Sequence, residues 1–585
     1  MSTKFVTSLM LTLLFAVGAA AEGKRLLVVM KSQDSYQSAK VLMGSQGGKE
    51  QILDISLPKS VRELATVGGK VEKNLDRIQS IVLKNASEAD LANLRSNPNV
   101  AFVEEEVFHA LPPKPFGMGA LTIASTEETP ISTRRLPLEN FRPSTSTPWG
   151  IGSVRAVESW TVSHGGQGAR VLVLDTGIDK DHGSLADNFE AGRDFVGDNQ
   201  PNYPFNDTHG HGTHTAGTIA GLAAENGFTG VAPEARILAG RVCGDRGCSN
   251  IAIAQGVDWG VEQKVDVISM SLGGMWSTPA ERMAISRAIQ AGVTVVAASG
   301  NSGTSRVSYP AALPDVIAVG AVDDKLQRAP FSQYGPELAV VAPGVAVTSA
   351  VPRGSGRETD FQITIDGGAA IKIESSTFQG AADLPTAVEN TLVAAGLGKP
   401  EDFANIDVKG KFVFMFRGEI AFGDKVKNAI AAGATGAVIA NNVPGLLHGT
   451  LAQDGSKVDV PVFGLDQDAG NQILAALNEG KTVQSRMFIN RTDFSAMDGT
   501  SMATPHVSGV VALMKAANKY LTPAQVKQIL RDTAKALGPN EANEYGFGLV
   551  VADAAVAMAK NTPVEEPSPA PTVPVQPEVP AIPVP

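Results

Sequence analysis

The spacing of apolar positions changes several times along the chain, and each change marks a segment. In residues 24–110 the apolar runs are short. Residues 25–30, 80–83 and 100–106 read as strands, and residues 87–90 as a helix start, a hydroxyl followed three positions later by an acid. This predicts a small α+β unit with its own core. Residues 111–146, rich in Pro, Ser and Thr, read as a linker. From Pro148 the rhythm becomes near-continuous apolar strands, at 169–174, 236–239, 265–269, 293–297 and 316–319. Helical stretches lie at 213–222, 250–263 and 279–291. Strands that are apolar throughout, separated by helices, predict an α/β fold, a parallel sheet with helices on both faces. Active residues in such sheets gather beyond the carboxyl ends of the strands.

Residues 356–488 interrupt this rhythm. Within them, 408–419 reads as a turn and a buried strand, and 424–442 as helix, glycine turn and strand. The α/β pattern resumes at Asp498, and Thr522, Pro523 and Gln525 announce a capped helix. The Pro-rich tail, 561–585, is expected to be extended.

A chain of 585 residues exceeds one compact core, in line with several domains. Its formal net charge of −11 argues against a basic nucleic-acid-binding face. Lys4, the apolar run 5–17 and Ala19, Ala20 and Ala21 read as a secretory signal; the competing reading is a membrane anchor, for which the run is short. No later run reaches the roughly 18 apolar residues of a span. The only two cysteines, Cys243 and Cys248, are expected to pair if the chain is exported. The alternative, half of a metal site, has no neighbouring histidine in its favour.

Four segments carry candidate chemistry. V-L-D-T-G-I at 173–178 sets Asp175 at the end of a buried strand. T-H-G-H-G-T-H-T-A-G-T at 208–218 brings His209, His211 and His214 together, a spacing that also suits zinc. D-G-T-S-M-A-T-P-H at 498–506 puts Ser501 at the start of a small-residue helix, where free N–H groups can hold an oxyanion. A-A-S-G-N-S-G at 297–303 leads from a buried strand to Asn301, whose amide can donate. Taken singly, each has a plainer reading as a turn, cap or metal-binding residue.

Taken together the four segments resemble the subtilisin family, whose active-site signatures occur here in the family's order Asp, His, Ser. The resemblance covers about 148–355 and 489–558. It implies a serine endopeptidase with Ser501 as nucleophile, His211 as general base, Asp175 as the group that orients the histidine, and Asn301 as an oxyanion donor. His209 and His214 match no triad position and are expected to be structural. Ser271, Leu272, Gly273 and Gly274 resemble the edge strand that pairs with extended substrate. Residues 22–110, with N-P-N-V-A-F-V-E-E-E at 97–106, resemble the family's inhibitory propeptide. About 375–485 resembles the protease-associated (PA) domain inserted in some members.

The implied order is signal peptide 1–21, propeptide 22–110, linker 111–146, catalytic domain 147–355 and 489–560, inserted β-rich PA domain 356–488, and tail 561–585. The implied partners are protein and peptide substrates and the chain's own propeptide, with no nucleic acid and no stable membrane insertion, in a secreted protein. No cofactor is required. The family's calcium loop carries asparagine side chains shortly after the histidine helix, whereas this chain has Ala223 and Ala224 there. Calcium binding elsewhere stays open, with no site assigned.

Overall fold

The computed structural model describes residues 23–44, 59–111, 134–198, 204–451 and 457–563. The expected signal peptide, most of the linker and nearly all of the Pro-rich tail lie outside the described residues. Two compact units divide between Glu106 and Val107.

The first unit is a four-stranded antiparallel sheet in the order Lys70–Leu75, Ser80–Ala86, Lys24–Met30, Val100–Glu105. Its helix Glu88–Ser96 starts at Ser87, which exchanges capping bonds with Asp90. Leu26, Val28, Tyr36, Ile81, Leu83, Leu91 and Leu94 form its own core.

The second unit is built on a seven-stranded sheet whose pairings are all parallel. Its order is Leu338–Pro343, Ile317–Val322, Thr294–Ala298, Val267–Met270, Arg170–Asp175, Arg236–Arg241, Phe189–Asp194. The central strands are buried at every position, as the unbroken apolar runs require. Helices His211–Ala220, Asn250–Glu262, Pro279–Gln290 and Thr500–Ala517 cover it. Thr522 and Gln525 form the expected capping box of helix Pro523–Thr533.

Between strands Ile317–Val322 and Leu338–Pro343 and helix Thr500–Ala517, the chain leaves and returns through a two-stranded ribbon, Val347–Ala350 against Phe494–Met497. The ribbon carries an eight-stranded sheet and two helices, Phe422–Ala431 and Gln467–Asn478. Strand Val483–Thr492 pairs with Gly356–Ile365 along ten registered positions, so the inserted sheet runs past residue 488 to Thr492.

Helix Thr500–Ala517 is buried from Thr500 to Lys515 and rich in small residues. Inside it His506 is fully buried. Its Nδ1 donates to the Met502 carbonyl, and Nε2 has no hydrogen-bond partner. Nε2 lies against Gly150, where a Cβ would come within 2.2 Å. Burial pushes the imidazole pKa down to about 4. The folded chain therefore keeps this ring neutral while the unfolded chain protonates it near about pH 6.5. Its share of stability is fully present above that value and is lost as pH falls toward 4, at about 1.4 kcal/mol per pH unit. His506→Asn, which retains a donor to Met502, should flatten the pH dependence of unfolding by about one proton over this window. Denaturant titrations at several pH values read this directly, and parallel slopes for both proteins would contradict it.

Candidate active site

Asp175 ends strand Arg170–Asp175, at the edge from which the next turn leaves the sheet. Its carboxylate faces Nδ1 of His211, with Oδ1 and Oδ2 at 2.8 and 2.9 Å, and both side chains are buried. The other ring nitrogen of His211, Nε2, is buried without a hydrogen-bond partner. A carboxylate can only accept, so Nδ1 carries the proton and Nε2 presents a lone pair whenever the ring is neutral.

A buried carboxylate that no signature motif advertised sets this approach. Asp207 Oδ1 accepts from the Thr176 hydroxyl and from the N–H groups of His209 and Gly210. Its Oδ2 accepts from the N–H and hydroxyl of Thr213. Gly210, the residue before the helix, has no side chain to cap it, and Asp207 caps the first turn from three residues upstream. Burial pushes the Asp207 carboxyl up, against these donors, which favour the ionised form. Gly212 allows the contact to close. A Cβ there would lie 2.1 Å from the Gly177 carbonyl and 3.2 Å from Asp175 Cβ.

Ser501 is the second residue of its helix. Pro505 lies four residues on and has no N–H for the Ser501 carbonyl. The Ser271 hydroxyl donates to that carbonyl instead, at 2.8 Å. In return Ser501 Oγ donates to the Ser271 carbonyl at 3.0 Å. The structure thus joins Asp175 to His211 and Ser501 to Ser271, with Ser501 Oγ directed to Ser271 rather than to Nε2 of His211.

Asn301 follows strand Thr294–Ala298 and Gly300, which has a left-handed φ of +110°. Its Oδ1 accepts from the N–H and hydroxyl of Thr500, at 2.9 and 2.8 Å. Because an N–H must meet an oxygen, these bonds fix the amide orientation and leave Nδ2 as a donor beside the Ser501 helix terminus. Residues 271–274 form extended chain beyond strand Val267–Met270 rather than a strand of the sheet. Leu272 is buried, a Cβ at Gly273 would meet the Tyr309 carbonyl at 2.6 Å, and Gly274 exchanges backbone bonds with Tyr309.

His214 is buried, with Nε2 2.9 Å from the Val347 carbonyl and 3.1 Å from that of Ser495, and burial pushes its pKa down to about 3. It holds the ribbon rather than a ligand. Cys243 and Cys248 are joined in a disulfide across a short hairpin. Where the family's calcium loop would lie, Ala223 accepts a bond from Leu136 N–H and Ala224 pairs with Arg135. These residues bring no side-chain oxygen and do not fit that ion. Among the described residues no group of three or more His, Cys, Asp or Glu is arranged to hold a metal.

Comparison with known proteins decides the ancestry of this arrangement. The Subtilase family model matches residues 166–368 and 417–548, more than half of the chain. The chain belongs to the subtilase family. It is 34% identical over 315 residues to Subtilisin NAT of Bacillus subtilis subsp. natto, covering 53% of this chain and 73% of that protein. To Subtilisin BL of Lederbergia lenta it is 46% identical over 209 residues, 35% of this chain and 75% of that one. The crystal structure of a psychrophilic subtilisin-like protease from Pseudoalteromonas sp. AS-11 superposes with a TM-score of 0.51 at 31% identity, covering 70% of this chain and 97% of that one. This subtilase has the subtilisin-like fold and is a serine endopeptidase, a hydrolase.

Gly212→Ala should push the histidine helix off the Asp175 strand while leaving the His211 and Asp175 side chains chemically unchanged. A displacement of about 1 Å at a reacting group is enough for a 10²-fold loss. We expect kcat/KM to fall by at least that much with the thermal transition still cooperative. Activity within threefold of the parent would contradict the packing argument.

Proposed function

We propose that Ser501, His211, Asp175 and Asn301 carry out the hydrolysis. The observation that carries this reading is the His211 ring, bound to Asp175 through Nδ1, with Nε2 buried and unpartnered. Ser501 Oγ leaves the Ser271 carbonyl and attacks the scissile carbonyl carbon, and His211 Nε2 takes its proton. The carbonyl oxygen becomes an oxyanion that accepts from Asn301 Nδ2 and the Ser501 N–H. His211 passes the proton to the leaving amine and leaves an acyl-enzyme. Water then attacks the ester, His211 takes a proton from it, and Ser501 Oγ departs with that proton restored. Asp175 keeps the ring in the required tautomer and stabilises the imidazolium. Residues 271–273 offer backbone groups to an extended substrate, with Gly274 held at their end by Tyr309.

Ser501→Ala should leave only residual turnover. Asn301→Ala should lower kcat by about 10²–10³ with KM little changed, a magnitude taken from a subtilisin in which such a donor was removed. Retention of half the parent activity by Ser501→Ala would overturn the assignment.

The same reading extends to biosynthesis. A separately cored unit before residue 107 and a signal-like start support a secreted, self-processed zymogen with signal 1–21, propeptide 22–110, linker 111–146, catalytic parts 147–355 and 489–560, and tail 561–585. Under this reading Ser501→Ala accumulates as a longer form that begins near Glu22. The same trimmed N-terminus in a host without other proteases would contradict self-processing.

The insertion, 356–488, resembles a PA domain and reaches the site through the ribbon that precedes Ser501. It acts on large substrates through contacts remote from the scissile bond. Replacing it with a short Gly/Ser linker should reduce kcat/KM for folded proteins far more than for tetrapeptide esters, with active sites counted by a Ser501 label. Equal proportional losses would exclude a gating role.

A further inference from the structure

Glu281 has two carboxylate oxygens with different partners. Oε2 accepts from the Thr278 N–H and the Ser277 hydroxyl, completing the capping box of helix Pro279–Gln290. One oxygen suffices for that cap. Oε1 instead meets Nε2 of His109 at 2.7 Å, and both side chains are only 4% exposed. The Trp276 ring lies over the same imidazole, with centroids 4.7 Å apart. Gly274 forms part of the wall, since a Cβ there would stand 2.5 Å from His109 Nδ1. The carboxylate, the aromatic ring and the glycine floor make a pocket matched to a basic side chain.

The way His109 enters the pocket matters as much as its partners. Phe108–His109 adds as an antiparallel strand to the edge of Gly247–Ser249, Phe108 opposite Ser249 and His109 opposite Cys248. Val107 extends the pairing. Its N–H donates to Asn250 Oδ1 and its carbonyl accepts from Asn250 N–H. Alternation along the strand sends Phe108 to the Arg246 guanidinium and His109 to Glu281. This is the way a bound peptide reads an edge: backbone bonds hold the strand, and a pocket reads every second side chain.

The pocket also stands in line with the nucleophile. Gly274 is three residues from Ser271, whose carbonyl accepts from Ser501 Oγ. At about 3.3 Å per residue, a strand following residues 271–274 sets the pocket about three residues upstream of the residue attacked.

We propose that Glu281 is a specificity-determining residue that selects substrates with a basic side chain about three residues before the one bearing the scissile carbonyl, and that His109 fills this subsite from within the chain. The proposal deepens the protease reading and rests on it. The free subsite holds a carboxylate whose Oε1 has lost its partner, so an apolar side chain leaves it unsatisfied and an acidic one is repelled. A lysine or arginine restores a charge-assisted bond.

The test uses internally quenched peptides that share one scissile bond, with Lys, Leu or Glu placed in turn at each of the five preceding positions. Active protein is counted by fluorophosphonate labelling of Ser501. Lys should exceed Leu by about tenfold in kcat/KM at one position near the fourth, and Glu should be poorest there. Glu281→Gln keeps an oxygen for the cap and removes the charge. It should reduce the Lys preference to within about twofold, with the Lys, Leu and Glu peptides compared at equal labelled Ser501. Labelled parent protein with no basic preference at any position overturns the proposal, and so does a Glu281→Gln protein that retains the preference. A protein that neither labels nor cleaves overturns the protease reading instead, so the two failures are distinguishable.

Discussion

The Asp207 carboxylate is the contact on which the geometry of the site depends. The aspartate and the histidine come from different elements, a strand end and a helix start, and neither element fixes the other. Asp207 binds both, through Thr176 beside Asp175 and through the first N–H groups around His211. A buried carboxylate that lost these donors would lose several kcal/mol of compensation at once, so the loop and the helix are held as one body. Gly212 then lets that body close to van der Waals contact. The Asp175–His211 bond is thus a consequence of packing around a third acidic residue.

A comparable exchange fixes Ser501. Pro505 removes the N–H that would bond the Ser501 carbonyl, and the Ser271 hydroxyl makes that bond instead. Thr500, next to Ser501, is held by Asn301 and donates to it twice. The helix start is therefore tied to the ends of two neighbouring strands, Val267–Met270 and Thr294–Ala298. A buried helix of small residues has few side-chain torsions to adjust, so these polar bonds decide where Ser501 sits.

What the sequence disclosed follows from how local each cause is. Strand ends at Asp175 and before Asn301, the helix starts at Ser87 and Thr522, and the unbroken apolar runs of the sheet all have causes within a few residues. They were legible for that reason. The helix at His211 begins two residues earlier than its apolar spacing suggested, because its cap is Asp207 rather than an adjacent hydroxyl. Asp207 lies outside every motif, since its partners Thr176 and Thr213 are brought to it only by the fold. Resemblance alone pointed to Ser271–Gly274 as an edge strand for substrate, and the pairing of Gly274 with Tyr309, 35 positions on, has no local signal. The pairing of His109 with Glu281 spans 172 positions, and no period or motif records it.

His214 shows why the inserted sheet cannot be regarded as an appendage. It lies one helical turn after His211, and its Nε2–H reaches carbonyls on both strands of the ribbon, Val347 on one and Ser495 on the other. Ser349 on the ribbon donates back to the His214 carbonyl, and Gly217 leaves no room between helix and ribbon, since a Cβ there would lie 2.5 Å from Ser349 Oγ. The ring is buried and stays neutral far below ordinary histidine titration, so solvent acidity does not loosen this clamp under mild conditions. A force on the inserted sheet therefore reaches the ribbon and meets a rigid contact there. It must either break the His214 bonds, which would leave two carbonyls buried, or carry the histidine helix with it. Breaking them is the costlier course wherever the carbonyls stay shielded from water. The placement of the ribbon and the placement of His211 are therefore coupled through His214, Ser349 and Gly217.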